Sequence, residues 1–374
     1  MRLSERFTYQ HNIEHCNQQA NSTMISSSVF TSTSIYDKNY LTTVEEWLSG
    51  GRRVNFDPKQ KAIVSNKTKD TVAVFERVSP SSGSSSSTRW LTLLPGFPDG
   101  SYGYAKVDRL LGSIKIPKLY VEYVGQGDSD KPEKYDYSTV ERADLVESQW
   151  RAHGIKRTVV VTFDYSSIVL MELLQRQRTS SAFRTRIEHV LAINGGLFAD
   201  GHSHPITTTP LLKTPFGAMG ASMAQRSNLI FDTMLKPLYG KDYRKSKLTT
   251  QELREVEKAI RLHRGARFLS QAAGFVDEHK HNASRWNLQL IYEDFMQHHG
   301  ITLHVVGSSE DPFEYKQVDL AKQRLGSYYP NVKIERIPGG HLSTSEQAEA
   351  LAKMIEDLAR KAATPPPKSS WTAI

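Results

Sequence analysis

Apolar residues along the chain fall into short runs separated by longer stretches of helical periodicity. The runs are Trp90–Leu94, Leu119–Tyr123, Thr158–Phe163, His189–Ile193, Thr302–Val306 and Val332–Ile337. Each is short, apolar and rich in β-branched residues or Leu, which predicts buried strands. Two further strands are expected ahead of them, over Arg52–Asp57 and Thr71–Val78. They follow a short helix, Thr43-Val-Glu-Glu-Trp47-Leu48, that Gly50-Gly51 closes. Apolar strands alternating with helices predict βαβ crossovers, hence an α/β fold with a mostly parallel sheet covered on both faces.

That rhythm breaks after Ile193, the end of the sixth expected strand. About a hundred residues pass before Thr302. Within them, Thr249-Thr-Gln-Glu252 has the sequence of a capping box, and Leu253, Val256 and Ile260 share one helix face. A helical insertion over residues 198–297 is therefore expected, dividing the core into residues 43–197 and 298–362. Ala348, Leu351, Ile355 and Leu358 mark a last helix. Residues 1–42 are rich in Ser, Thr, Asn and Gln, and residues 363–374 are Pro-rich, so both are expected to be disordered tails. Pro80 to Ser87 is expected to form an exposed loop.

Composition narrows the function classes. With 374 residues and 38% hydrophobic residues, the chain can bury a large core. The net charge is +8, but the basic residues are dispersed and do not interleave with aromatics, which argues for a solvated surface and against nucleic-acid binding. A lone Cys16 excludes an internal disulfide or a cysteine metal cluster and fits a reducing compartment. No apolar run approaches the ~18 residues of a membrane span, and residues 1–40 contain no signal-type apolar core. An intracellular, cytoplasmic protein is expected, with organelle targeting by residues 1–40 left open.

Two weaker signals are set aside. His202-Ser-His204, His279-Lys-His281 and His298-His299 lack a carboxylate or cysteine framework on a shared helix face. They read as surface histidines, so neither metal nor cofactor is expected. Gly125–Gly127 lacks the third glycine of a dinucleotide fingerprint.

The segment richest in chemistry is Thr158-Val-Val-Val-Thr-Phe-Asp164-Tyr165-Ser166-Ser167, where a buried strand turns sharply into an apolar helix. Such a turn lifts one side chain above the sheet and aims helix N–H groups at it. Asp164 is there either as a nucleophile or as a helix cap. Two further strand ends decide between these readings. Thr302–Val306 leads to Glu310-Asp311-Pro312, and Val332–Ile337 leads to Gly339-Gly340-His341. Catalytic groups of open α/β sheets lie beyond the carboxyl ends of strands. The ordered set Asp164, Asp311, His341 favours a nucleophile–acid–histidine triad.

This order resembles the α/β-hydrolase fold over roughly residues 50–360. Leu94-Pro95-Gly96-Phe97-Pro98 is similar to that fold's His-Gly-Phe-Pro loop, and Gly125-Gln-Gly-Asp-Ser129-Asp-Lys-Pro132 to its Gly-x-Gly-x-Ser-Asp-Lys-Pro signature. An elbow aspartate resembles the epoxide hydrolase and haloalkane dehalogenase group. Asn194-Gly-Gly, Arg285-Trp286 and Asp311-Pro312 resemble its mesoderm-specific transcript branch.

The resemblance implies an alkyl-enzyme ester on Asp164, water activated by His341 with Asp311, an oxyanion hole from the N–H groups of Phe97 and Tyr165, and the insertion acting as a cap. Epoxide hydrolysis of a small apolar substrate is the expected reaction. Tyr239 and Tyr243 are the candidate cap proton donors. Haloalkane dehalogenation comes second, because Tyr165 and Phe97 occupy the usual halide-binding places. A weakly active or inactive binding protein is the third reading, because Pro95 and Phe163 stand where histidines are usual.

Overall fold

The computed structural model describes residues 40–80, 89–112, 114–205, 209–326 and 328–363. Eight strands form the main sheet: β1 (Gly51–Phe56), β2 (Val72–Ser79), β3 (Arg89–Leu94), β4 (Lys118–Val121), β5 (Arg157–Phe163), β6 (Arg186–Ile193), β7 (Thr302–Ser308) and β8 (Val332–Ile337). Their order across the sheet is β1-β2-β4-β3-β5-β6-β7-β8. The β1–β2 and β2–β4 pairs are antiparallel. All the others are parallel.

β5 shows why the sequence makes a doubly covered sheet. Alternate side chains of a strand point to opposite faces. Val160 packs into one core cluster with Ile168, Leu174 and Trp286. Val159, Val161 and Phe163 pack into the other with Leu351 and Ile355. Both faces are buried, so the strand is a continuous apolar run without polar alternation. Helices α1 (Val44–Ser49) and α2 (Ala105–Leu110) precede helix α3 (Thr139–Ala152), which Ser138 caps by accepting from the Glu141 N–H. Helix α4 (Ser166–Thr179) follows β5 almost directly.

The segment between β6 and β7 is helical, as the spacing predicts. It includes α5 (Pro215–Ala224), α6 (Asn228–Leu235), α7 (Thr250–Arg261) and α8 (Phe275–His281). Thr249 caps α7 by accepting from the Glu252 N–H at 3.0 Å. The Glu252 carboxylate does not complete the expected capping box. It turns instead to Lys106 at 2.7 Å and to the Tyr243 hydroxyl. The insertion is anchored on α4, where Glu172 accepts from Arg285 Nε and Trp286 Nε1, each at 2.8 Å. The Arg-Trp pair read from the sequence is thus a clamp.

Helix α9 (Tyr315–Ala321) follows β7, and helix α10 (Ala348–Ala363) ends the described chain. The expected tails and the Ser/Gly loop lie outside the described residues, apart from their edges. No helix among the described residues is long and apolar enough to cross a membrane. Among the described residues, a hairpin of Ala62–Val64 with Lys67–Lys69 went unpredicted.

Candidate active site

Asp164 stands between β5 and α4 with φ of 55°. A non-glycine residue in this left-handed region costs about 1–3 kcal/mol unless its surroundings enforce it. They do so here by close packing. The Asp164 N–H donates to the Ile193 carbonyl at 2.9 Å. A Cβ on Gly96 would fall 2.3 Å from the Phe163 ring, and one on Gly195 would fall 1.8 Å from Ser167 Oγ. Ser166 and Ser167 are fully buried. Ser167 pairs with Thr162 at 3.1 Å, and the Ser166 hydroxyl pairs with Tyr123 at 3.0 Å and donates to the Pro95 carbonyl. Serines are therefore accommodated at this elbow by hydrogen bonding.

The structure brings Asp164, Asp311 and His341 together from three strand ends. His341 Nδ1 lies 2.9 Å from Asp311 Oδ2. His341 Nε2 lies 3.6 Å from Asp164 Oδ1. The other oxygen of Asp164, Oδ2, accepts from the Phe97 N–H at 2.9 Å. The Tyr165 N–H also hydrogen-bonds the carboxylate. The two oxygens of Asp164 are thus distinct, Oδ2 held by the Phe97 amide and Oδ1 facing the imidazole.

All three side chains are buried. Burial raises Asp164 above the usual carboxylate range, opposed by His341 and by the amides of Phe97 and Tyr165. Burial also works against a charged His341. The charge and hydrogen bond of Asp311, with the charge of Asp164, outweigh it and raise the ring to about 9. Asp311 is itself fixed by the N–H groups of Phe313 and Glu314, at 2.8 and 3.2 Å.

Aromatic rings wall the site. Phe97 and Tyr165 lie 6.3 Å apart at 88°, and Phe275 of the insertion approaches them at 5.8 and 5.2 Å. Phe163 packs beneath, 5.4 Å from the His341 ring. The two tyrosines named from the sequence stack on each other at 5.7 Å. Tyr243 is committed elsewhere: its hydroxyl hydrogen-bonds Glu252 and accepts from Lys106 at 2.7 Å. The Tyr239 hydroxyl is buried without a hydrogen-bond partner among the described residues.

Four contributors were not assigned a role from the sequence. Asn194 donates to the His341 carbonyl at 2.7 Å and accepts from the Ser308 N–H at 2.7 Å, tying the ends of β6 and β7 to the histidine loop. Glu346 accepts from the N–H groups of Gly240 and Gly340, joining the insertion to that loop. Asp99 is buried near the triad with Oδ1 unpartnered. Burial, with the charge of Asp164, pushes it up to about 7. Glu314 accepts from His202 Nδ1 at 2.7 Å and His204 Nε2 at 3.1 Å. Burial would raise its acid, but the hydrogen bonds of the two histidines hold it down to about 2.

The histidine reading needs correction. His281 and His298 are exposed, but His279 is fully buried, and the His202 and His204 side chains are only 2% and 6% exposed. Their acidic partner comes from a loop more than a hundred residues away, beyond the reach of local pattern.

The Gly125–Pro132 signature is structural. Gly125 and Gly127 have φ of 95° and 41°. Lys131 Nζ donates to the carbonyls of Gln126, Gly127 and Ser129. Glu122 accepts from the Asp128 and Ser129 N–H groups.

This sheet order, with a strained acid at the β5–α4 elbow and an acid and a histidine after β7 and β8, is the α/β-hydrolase fold. Solved structures similar to the chain include a thermophilic esterase from Thermogutta terrifontis, at TM-score 0.60 and 14% identity, covering 84% of this chain and all of that one. Another is the haloalkane dehalogenase DatA from Agrobacterium tumefaciens, at TM-score 0.60 and 16% identity over 83% and 97%. A third is the epoxide hydrolase CorEH, at TM-score 0.55 and 16% identity over 83% and 99%.

Among curated relatives, the mouse mesoderm-specific transcript protein is 30% identical over 199 residues. That match covers 52% of this chain, and the chain spans only 58% of that relative. "Putative hydrolase LipZ" of Mycobacterium tuberculosis is 26% identical over 317 residues, 83% of this chain and 96% of that protein. No protein-family model matches the chain.

Proposed function

We propose that the chain is a hydrolase working through an ester on Asp164, and that its reaction is the opening of an epoxide to a diol. The observation that carries this reading is the asymmetry of the Asp164 carboxylate. Oδ2 accepts from the Phe97 amide, while Oδ1 faces the His341 imidazole and is the oxygen left to attack a carbon once the insertion opens.

Attack by Oδ1 forms a carbon–oxygen ester bond and breaks a ring carbon–oxygen bond, and the departing alkoxide takes a proton. Tyr239 is the better donor of the two tyrosines, since its hydroxyl has no other partner and Tyr243 is held by Glu252. Ester formation removes the negative charge of Asp164, one of the groups that raise His341. The imidazole then becomes easier to deprotonate and can act as base on a water that attacks the ester carbonyl. The resulting oxyanion forms at Oδ2, where the Phe97 amide already points. Such donors are worth ~3–4 kcal/mol each when preorganised. Collapse of the oxyanion breaks the Cγ–Oδ1 bond. One proton of the water passes through His341 to the leaving alkoxide and the other restores the Tyr239 hydroxyl, giving the diol and the Asp164 carboxylate. The insertion serves as the cap that keeps bulk water out. A cytoplasmic setting belongs to the same proposal.

Single turnover in ¹⁸O-labelled water tests the route. Label is expected in the Asp164 peptide, and His341→Gln should accumulate the ester, because it spares the first step and disables the second. Turnover without label in Asp164 would exclude the ester. Haloalkane dehalogenation is the second reading, on the likeness to DatA. Tyr239→Phe separates the two, since it should slow epoxide opening at least tenfold and leave halide release unchanged. No turnover of epoxides, haloalkanes or esters above an Asp164→Ala control would favour the binding-protein reading instead.

A further inference from the structure

Beside the triad, a second set of side chains converges. His202 and His204 lie on the segment that leaves β6, and Glu314 lies on the loop after β7. His202 Nδ1 is 2.7 Å and His204 Nε2 is 3.1 Å from the same carboxylate oxygen, Glu314 Oε1. All three donor atoms lie within 4.8 Å of one another. We propose that His202, His204 and Glu314 form a binding site for one divalent transition-metal ion, of which Zn²⁺ is the representative.

Donor chemistry and spacing support this site. Two imidazole nitrogens and one carboxylate oxygen suit a borderline divalent cation. Donors at zinc-bond lengths of about 2.0–2.2 Å in a tetrahedral arrangement stand roughly 3.3 Å apart. The separations of 2.7 and 3.1 Å fall short of that by a few tenths of an ångström, so a small spreading of the side chains makes room for the ion.

An outer partner is also in place. A metal-bound histidine usually has its second ring nitrogen held by a hydrogen bond. His202 Nε2 lies 2.8 Å from His279 Nδ1, on helix α8 of the insertion. The His204 ring is held by stacking on Phe313 at 5.0 Å. Access is provided by a cavity of about 130 Å³ lined by His202, His204, Pro210, Val276, Lys280 and the ion pair of Lys213 with Asp277. The remaining coordination positions would face this cavity and take water.

Charge favours a cation here. Glu314, Asp311 and Asp164 are three buried carboxylates close together, and His341 is the cation shared between two of them. The alternative is a proton-only network in which both imidazoles donate to Glu314. Metal binding distinguishes the two. The ion would tie the start of the insertion to the loop that carries Asp311. This is a fastening role that does not depend on any reaction at Asp164.

The test uses the full chain, stripped with a chelator and titrated with Zn²⁺ against a chromophoric competitor of micromolar affinity. One equivalent is expected to bind wild type. His204→Gln and Glu314→Gln should each weaken binding at least 100-fold, and His279→Phe should weaken it ~10–100-fold. X-ray absorption of the wild-type zinc complex should show two imidazoles in the coordination shell, a reading that needs no variant to fold. Failure of wild type to take one equivalent overturns the proposal. So does a single-imidazole shell, or binding unchanged in folded His204→Gln and Glu314→Gln, since exposed histidines would then be the ligands. None of these readouts involves turnover, so the hydrolase reading stands or falls separately.

Discussion

His341 is held between opposing forces, and their balance sets where pH acts on the protein. Burial disfavours the imidazolium, while Asp311 and Asp164 raise the ring to about 9 from an ordinary 6.5. A group raised on folding stabilises fully below its unfolded value, and that contribution is lost as pH rises through the folded value. The melting-temperature gap between wild type and His341→Gln should therefore shrink between pH 6.5 and 9. A gap constant across that range would mean the ring is not ion-paired. Asp99 shows the same linkage in an acid. Its folded value of about 7 exceeds its ordinary 3.8, because the carboxylate is buried with Oδ1 unpartnered. Native stability therefore falls as pH rises through that interval, as the buried group is forced to ionise. Asp99→Asn removes the ionisation and should raise the melting temperature more at pH 8 than at pH 5. Equal effects at both pH values would show that Asp99 is not buried as an acid.

At the scale of elements, the triad is only as good as the loops that carry it, and Asn194 fastens two of them. Its side-chain nitrogen reaches the His341 carbonyl, Ser308 Oγ and Ser343 Oγ, and its oxygen takes the Ser308 N–H. Its φ of 44° is one that asparagine tolerates better than most side chains. Asn194→Gly keeps the backbone and deletes these bonds. Losing buried partners should cost about 1–3 kcal/mol of stability. As a positioning residue it should lower kcat far more than it raises KM. A KM-only effect would place Asn194 at the substrate instead.

The same elements show what local pattern can reveal. The central strands were readable because their apolar runs are buried on both faces, and Asp164, Asp311 and His341 because each stands at a strand end. The hairpin Ala62–Val64/Lys67–Lys69 was not, since its second strand is wholly exposed and carries no apolar signal. Nor were Asn194 and Glu314 assigned a role, because their partners come from segments distant in sequence.

For the molecule as a whole, the buried triad sets a condition on function. The Asp164 and His341 side chains are 4% and 2% exposed, too little for a substrate carbon to reach Oδ1. The covering parts belong to the insertion: Phe275 lies against Phe97 and Tyr165, and the Leu238 carbonyl accepts the His341 N–H at 2.7 Å. These are peripheral contacts beside the central strands β5 and β6, which lie almost wholly buried. Local opening draws on the least stable parts of a fold, and covering segments are drawn from that end. Hydrogen exchange on the native protein should therefore show residues 236–240 and 275–281 exchanging at least tenfold faster than β5 and β6. Arg285→Ala weakens the Glu172 clamp without touching the triad, and should widen that difference while leaving the sheet unchanged. If the insertion and the sheet exchange at one common rate in both proteins, they open only by global unfolding. Access to Asp164 would then need a route that does not pass through the insertion.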